Sequence, residues 1–338
     1  MNELAGMNTR ALTQFLLDSG VELHGDLRVE SISGGRSNLT FRAYDDNSSW
    51  VVRRPPTSGL TPSAHDMARE WAVTRALEPT DVPVAAAVAF DRDGTVLGAP
   101  MTIVGFERGR VIRSQADLED LSDAQINANA SELVRVLARL HAVDYRAVGL
   151  ADFGRPDGFA ARQVATWNRQ WQRVKTRELA DVDRLHAALA ASVPPRSAAS
   201  IVHGDFRVDN TILVQNDVTS VAAVVDWEMS TIGDPLTDVA LMCAYRQPIF
   251  DAVLGVKAAW TSPRYPSPND LAEQYVRESG RELEHWNFYV ALANFKLGVI
   301  GEGITHRALA GSDSGNGAGD AADVTGEFIA TGLRALAR

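Results

Sequence analysis

Apolar residues recur at two different periods along the chain, and the place where one gives way to the other divides it in two. Leu12, Phe15 and Leu16 sit at helical spacing between Asn8 or Thr9, either of which suits an N-cap, and Gly20, a natural stop, so a short amphipathic helix is predicted. The pattern then becomes β-prone. Val29 to Ile32, Leu39 to Tyr44 and Trp50 to Arg53 read as short strands, separated by turns at Ser33-Gly34-Gly35-Arg36 and Asp45-Asp46-Asn47-Ser48. A helix follows, opened by the capping-box-like Ser63-x-x-Asp66, carrying Met67, Trp71 and Leu77, and ending before Pro79. Strands at Ala85 to Phe90 and Met101 to Phe106 flank the turn Asp91-Arg92-Asp93-Gly94. Strand, strand, strand, helix, strand, strand describes a small antiparallel sheet.

Past Gly109 helices take over. Ser131 to His141 places Leu133, Leu137 and Leu140 on one face, and Pro194-Pro195 closes a further helical stretch. Ile201 to Asp226 returns to short strands; helices resume from Thr237, with a loop at Thr261 to Asn269. No internal repeat is evident. The expected architecture is α+β and bilobal: a sheet lobe over residues 1–106, then a mainly helical lobe over 107–338.

Composition narrows the function classes. With 45% hydrophobic and 22% charged residues, 338 residues can bury a sizeable core. A net charge of −10 offers no basic footprint for nucleic acid or an anionic membrane, so neither is expected as a partner. Cys243 is the single cysteine, which excludes an intrachain disulfide and a cysteine-based zinc cluster and suits a reducing compartment. Met1 to Arg10 lacks a signal-peptide pattern and no apolar run reaches membrane-helix length, so a soluble, cytoplasmic protein is expected. The histidines show no His-Glu-x-x-His spacing, and there is no Gly-x-x-x-x-Gly-Lys-Ser/Thr loop. No strand leads into the Gly-x-G spacing of Gly311 to Gly319, which reads as a flexible loop and not a dinucleotide fingerprint.

The chemistry concentrates between Ile201 and Glu228. Ile212 to Val214 and Val221 to Val225 are β-branched runs around a polar turn, Gln215 to Ser220, so they should pair as a hairpin whose open end sets Asn210 beside Asp226. An amide oxygen next to a carboxylate makes a hard-oxygen site suited to magnesium carrying nucleotide phosphates. Asp205, a loop away, is left to accept a proton, the division of labour that phosphoryl transfer requires. His203 reads as structural, needing only a hydrogen bond to pack against its loop. Asp234 and Asp238 read as loop-bracing and capping groups.

His203-x-Asp205-x-x-x-x-Asn210 followed by Asp226-Trp227-Glu228 resembles the catalytic and metal-binding loops of the aminoglycoside phosphotransferase family, relatives of the protein kinases that include choline and homoserine kinases. Gly233-Asp234-Pro235-Leu236-x-Asp238-Val239-Ala240 is similar to the segment that follows in that family. So, in the first lobe, are Ser33-Gly34-Gly35-Arg36-Ser37-Asn38-Leu39-Thr40, Val51-Val52-Arg53-Arg54-Pro55-Pro56 and Ala64-His65-x-x-x-Arg69-Glu70. The look is that of the bacterial and acyl-CoA-dehydrogenase-fused branch. The resemblance implies a protein-kinase-like fold whose first lobe binds nucleotide, with ATP and Mg2+ as cofactors and a small-molecule hydroxyl as acceptor, whether amino sugar, sugar or amino alcohol.

Carried over residue by residue, it implies Asp205 as base and Asn210 and Asp226 as metal ligands, with Glu70 partnering the phosphate-binding cation. The usual third-strand lysine is replaced by Arg53 or Arg54, and strand alternation, which turns one of them inward, favours Arg53. Ser37, Asn38 and Thr40, with Gly34 and Gly35, could cover phosphates or form an ordinary β-turn. Arg207 could reach the transferring phosphate or stand solvated at the surface. In the hinge Ile103-Val104-Gly105-Phe106, glycine replaces a frequent acidic residue, leaving backbone at Val104 and Phe106 to meet the base. Trp167, Trp171, Trp260, Tyr275, Trp286 and Tyr289 suit an acceptor pocket or core packing equally. A nucleotide-binding pseudoenzyme or regulatory module and a metal-dependent phosphohydrolase are the rival readings. Acceptor identity, ATP against GTP and oligomeric state are left open by the residues.

Overall fold

The computed structural model describes residues 6–32, 38–56, 66–311 and 321–338. Helix α1 (Thr9–Asp18) opens on Asn8, whose side chain accepts from the Ala11 N–H, and buries Leu12 and Leu16. Strands β1 (Arg28–Ser31), β2 (Leu39–Tyr44) and β3 (Ser49–Arg54) follow as a meander. Helix α2 (Met67–Leu77), capped by Asp66, intervenes before β4 (Ala87–Asp91) and β5 (Met101–Gly105). The five strands form one antiparallel sheet in the order β1-β2-β3-β5-β4. The Ser33 to Arg36 turn, Ser63 and all of the Gly311 to Gly319 loop beyond Gly311 lie outside the described residues.

Alternation along β3 decides which side chains reach the site. Trp50, Val52 and Arg54 are buried on one face, where Phe41, Ala43, Met101 and Ile103 pack with Leu12 and Leu16 of α1. Arg53 consequently lies on the opposite face, towards α2. Arg54 donates to the carbonyls of Gly6 and Leu97 and so serves that small core.

A two-residue strand, β6 (Gly109–Arg110), leads into α3 (Asp123–Ala142), α4 (Phe159–Val174) and α5 (Ala180–Ala191). The expected start of α3 at Ser131 moves back to Asp123, because Ser122 and Gln125 form a capping box. Strands β7 (Ser200–Val202), β8 (Thr211–Val214), β9 (Asp217–Val224) and β10 (Thr231–Gly233) frame the chemical loops, with β6-β8-β9 as one small sheet and β10-β7 as another. Helices α6 (Leu236–Ala244), α7 (Phe250–Leu254), α8 (Pro268–Ser279), α9 (Trp286–Leu309) and α10 (Ala321–Leu336) complete the helical lobe. Its large core also takes in Val73, Ala76 and Leu77 of α2, so that helix packs its inner face with the second lobe although it precedes residue 106. The result is the bilobal α+β architecture that the resemblance implied.

Candidate active site

The loop that carries Asp205 leaves β7 through His203 and Gly204. Gly204 has φ +83° and its backbone lies so close to Met229 that a Cβ would stand 2.7 Å from the Met229 carbonyl oxygen, so glycine is required. Asp238, from α6, accepts the backbone N–H of His203 at 2.6 Å and of Gly204 at 2.8 Å. His141 and Tyr275 back it in turn, through contacts of 3.3 Å and 2.8 Å. Burial alone would raise the Asp238 pKa, but bonds from His141 and His203 hold it below the ordinary carboxylate value. Asp238 thus braces the loop from beneath and does not cap its own helix. His203 holds its loop, its Nε2 3.0 Å from the Val225 carbonyl and its Nδ1 3.2 Å from the Asp205 N–H.

Asp205 is held from three sides. Asn210 donates through Nδ2 to the Asp205 carbonyl at 2.8 Å and to Oδ2 at 3.0 Å, which leaves its own Oδ1 on the far side of the amide. The Tyr245 hydroxyl donates to Oδ1, and Arg207 Nε lies 3.4 Å from the same oxygen. Burial, then the Asp205 charge, pushes the Tyr245 phenol well above its ordinary pKa, which keeps it a donor. Arg207 is not a surface arginine: its side chain is 14% exposed and it also pairs with Asp209 at 2.8 Å. Nothing in the sequence pointed to Tyr245, which lies forty residues beyond Asp205.

The hairpin of β8 and β9 brings the second carboxylate in. The Val225 N–H donates to the Asn210 carbonyl at 3.0 Å, and Asp226 then takes a left-handed backbone, φ 68° and ψ 57°, which turns the chain out of the sheet. The expected turn at Gln215 to Ser220 is largely strand, since β9 starts at Asp217 and the register slips twice between Ile212 and Val214. Across the cleft, Arg53 reaches Glu70 at 2.5 Å and Asp226 at 3.4 Å. Burial would lower the Arg53 pKa, but Glu70, Asp226 and Glu228 together raise it. Arg69 ties α2 to the same segment by donating to the Ser230 carbonyl at 2.8 Å, and to the stretch between α3 and α4 by donating to the Phe153 carbonyl at 2.9 Å.

Negative charge exceeds what Arg53 offsets. Glu228 is pushed up to about 7, by burial first and then by Asp226, with Glu70 and Asp205 adding to the rise. Burial also raises Glu70, against the pull of Arg53. A carboxylate cluster of this kind, with the Asn210 amide oxygen and Asp226 as hard donors, fits a magnesium ion. Among the described residues no group of three or more carboxylates, histidines or cysteines is preassembled to hold a metal. Two protein ligands suffice where phosphates and waters complete the shell.

The nucleotide-facing expectations divide. Thr40 lies directly across from Arg53 in the β2–β3 ladder, Asn38 is buried where β2 begins, and Ser37 lies outside the described residues. The Gly105 N–H donates to Ala86 at 2.8 Å and the Phe106 N–H to Ser49 at 3.0 Å, while Val104 is laddered between β3 and β4. The N–H groups of Gly105 and Phe106 are thus engaged within the sheet lobe. The aromatic residues also separate: Trp171, Trp260 and Tyr275 are core, whereas Trp167 and Tyr289 line a cavity beside Gly204 and Trp286 only packs against the core.

Residues 28–271 match the model of the phosphotransferase enzyme family, APH. A crystal structure from Ralstonia eutropha, provisionally described as an aminoglycoside phosphotransferase, is 32% identical and superposes with a TM-score of 0.83 over 98% of both chains. Aminoglycoside phosphotransferase APH(4)-Ia, solved with ADP and hygromycin B, shares the fold at 17% identity, with a TM-score of 0.61 over 96% of this chain and 97% of its own. Human acyl-CoA dehydrogenase family member 11 is 31% identical over 327 residues, 96% of this chain and 42% of that relative, so the chain spans about two fifths of its length. The family match covers both lobes and every described residue placed around Asp205 up to Tyr245; on that ground the chain belongs to the phosphotransferase enzyme family.

Proposed function

We propose that this protein transfers the γ-phosphoryl group of ATP, with magnesium, to a hydroxyl of a small molecule. The observation that carries the reading is the bridge made by Arg53: one cation of the sheet lobe contacts both Glu70 and Asp226, while Asn210, beside Asp226, is tied to Asp205. Base, phosphate-binding cation and hard-oxygen donors thereby share one cleft. ADP-bound relatives of the same fold support the nucleotide.

Asp205 takes the proton of the acceptor hydroxyl as that oxygen bonds to the γ-phosphorus and the bond from phosphorus to the β–γ bridging oxygen breaks, releasing ADP. Arg53, fixed by Glu70, is the cation that offsets phosphate charge; its planar fork can meet two oxygens where a lysine would meet one. Arg207, beside Asp205, is placed to follow charge on the transferring group. Asn210 and Asp226 would hold magnesium, whose chemistry there is to neutralise the phosphates. ADP release with magnesium and ATP over a panel of alcohols tests this. Acceptor-dependent turnover supports it; phosphate release without acceptor favours the phosphohydrolase, and nucleotide binding without turnover the pseudoenzyme.

A further inference from the structure

Beside the base loop lies a cavity of about 110 Å³ whose lining does not follow the acidic balance of the whole chain. Phe159, Trp167, Met229 and Leu292 make its walls largely apolar, and Lys296 of α9 lines it too. The Lys296 ammonium donates to the Gly204 carbonyl at 2.7 Å, one residue before Asp205, and stands 5.4 Å from the centre of the Trp167 ring. An ammonium has three donors, and that carbonyl takes one. Among the described lining residues the one carboxylate is Asp238, and both of its oxygens are committed to His203, Gly204 and His141. At the Lys296 end of the cavity a cationic ligand would therefore meet like charge with no uncommitted carboxylate among the lining residues to answer it. Burial lowers the Lys296 pKa although Asp205 and Asp238 pull the other way, and an anion beside the ammonium would relieve the remaining cost.

We propose that this cavity is the acceptor site and that Lys296 binds a carboxylate on an acceptor with an apolar stem, whose hydroxyl is presented to Asp205. The proposal rests on the phosphotransfer reading and names its substrate class: hydroxy carboxylates, not amino sugars. The −10 net charge is a property of the whole chain, whereas the charged residues that line this cavity are Lys296 and Asp238.

Two stages separate this proposal from the reading beneath it. Calorimetry of the full chain with magnesium and a non-hydrolysable ATP analogue comes first; failure to bind overturns the phosphotransfer reading itself. Acceptor-dependent ADP release is then measured for matched alcohols of equal length ending in carboxylate, neutral amide or amine, with hygromycin B alongside. Melting shifts of the nucleotide-loaded protein give a readout independent of turnover. The carboxylate series should be preferred, and Lys296→Met, which also removes the contact to the Gly204 carbonyl and so slows every acceptor, should beyond that common loss raise the KM of the carboxylate series about 10–100-fold relative to the amide. Lys296→Arg should keep most of the preference. Preference for the amine or hygromycin B overturns the proposal, as does equal weakening of all acceptors by Lys296→Met. Should Lys296→Met not fold, the ranking on the parent protein decides; carboxylates that move neither turnover nor melting of the nucleotide-loaded parent also overturn it.

Discussion

Glu228 reports how the site is charged. Its pKa of about 7 in the folded chain, against 4.5 in the unfolded one, means that between those values the folded state holds a proton the unfolded state has lost. Stability contributed by this group therefore falls as pH rises through that window and levels off above it. The shift bounds the effect at roughly 3 kcal/mol, and solvent at the open side of the cleft reduces it to about 1–2 kcal/mol. Glu228→Gln keeps the shape and removes the charge. Urea unfolding should find parent and variant alike near about pH 5 and the variant more stable by about 1–2 kcal/mol near about pH 8. Magnesium should narrow that gap, since a cation relieves the same repulsion. A gap independent of pH, or one that reverses sign, would refute the reasoning.

Nucleotide affinity should tell the two consecutive arginines apart. Arg53→Ala should abolish most nucleotide affinity in calorimetry and also lower Tm, because Glu70 and Asp226 lose their cation, whereas Arg54→Ala, which strips charged donors from the Gly6 and Leu97 carbonyls, should lower Tm by about 5 °C and spare affinity. Gly204→Ala should cost activity at least about 10²-fold and destabilise the fold measurably, because positive φ and the Met229 backbone both oppose a Cβ; wild-type turnover would remove the close approach from the account. Asp238→Asn should lower kcat with KM nearly unchanged, since it loosens the loop beneath Asp205; a rise in KM alone would contradict a bracing role.

Local pattern made the hairpin legible, because β-branched Ile212 to Val214 and Val221 to Val225 signal strands whatever surrounds them. Alternation likewise told Arg53 from Arg54. The turn boundary was lost because Asp217, Thr219 and Ser220 read as turn residues, yet they lie on a strand and bond one another there. Ser122-x-x-Gln125 was a readable start for α3, masked by the polar first turns. Tyr245 and Lys296 reach Asp205 and Gly204 only through the packing of α6 and α9, so no spacing announces them. Which hinge N–H groups the sheet lobe engages likewise depends on Ser49 and Ala86, partners that no spacing around Gly105 announces.

Comparing Asp205→Asn with Asp226→Asn tests the division of labour most directly. Nucleotide is titrated calorimetrically into both variants at several magnesium concentrations, beside acceptor-dependent turnover. Asp205→Asn should lower transfer roughly 10²–10⁴-fold while magnesium-nucleotide affinity stays near the parent's. Asp226→Asn should weaken affinity and shift the magnesium titration to higher concentration. Loss of nucleotide affinity in Asp205→Asn as severe as in Asp226→Asn would contradict the assignment of base and metal ligand.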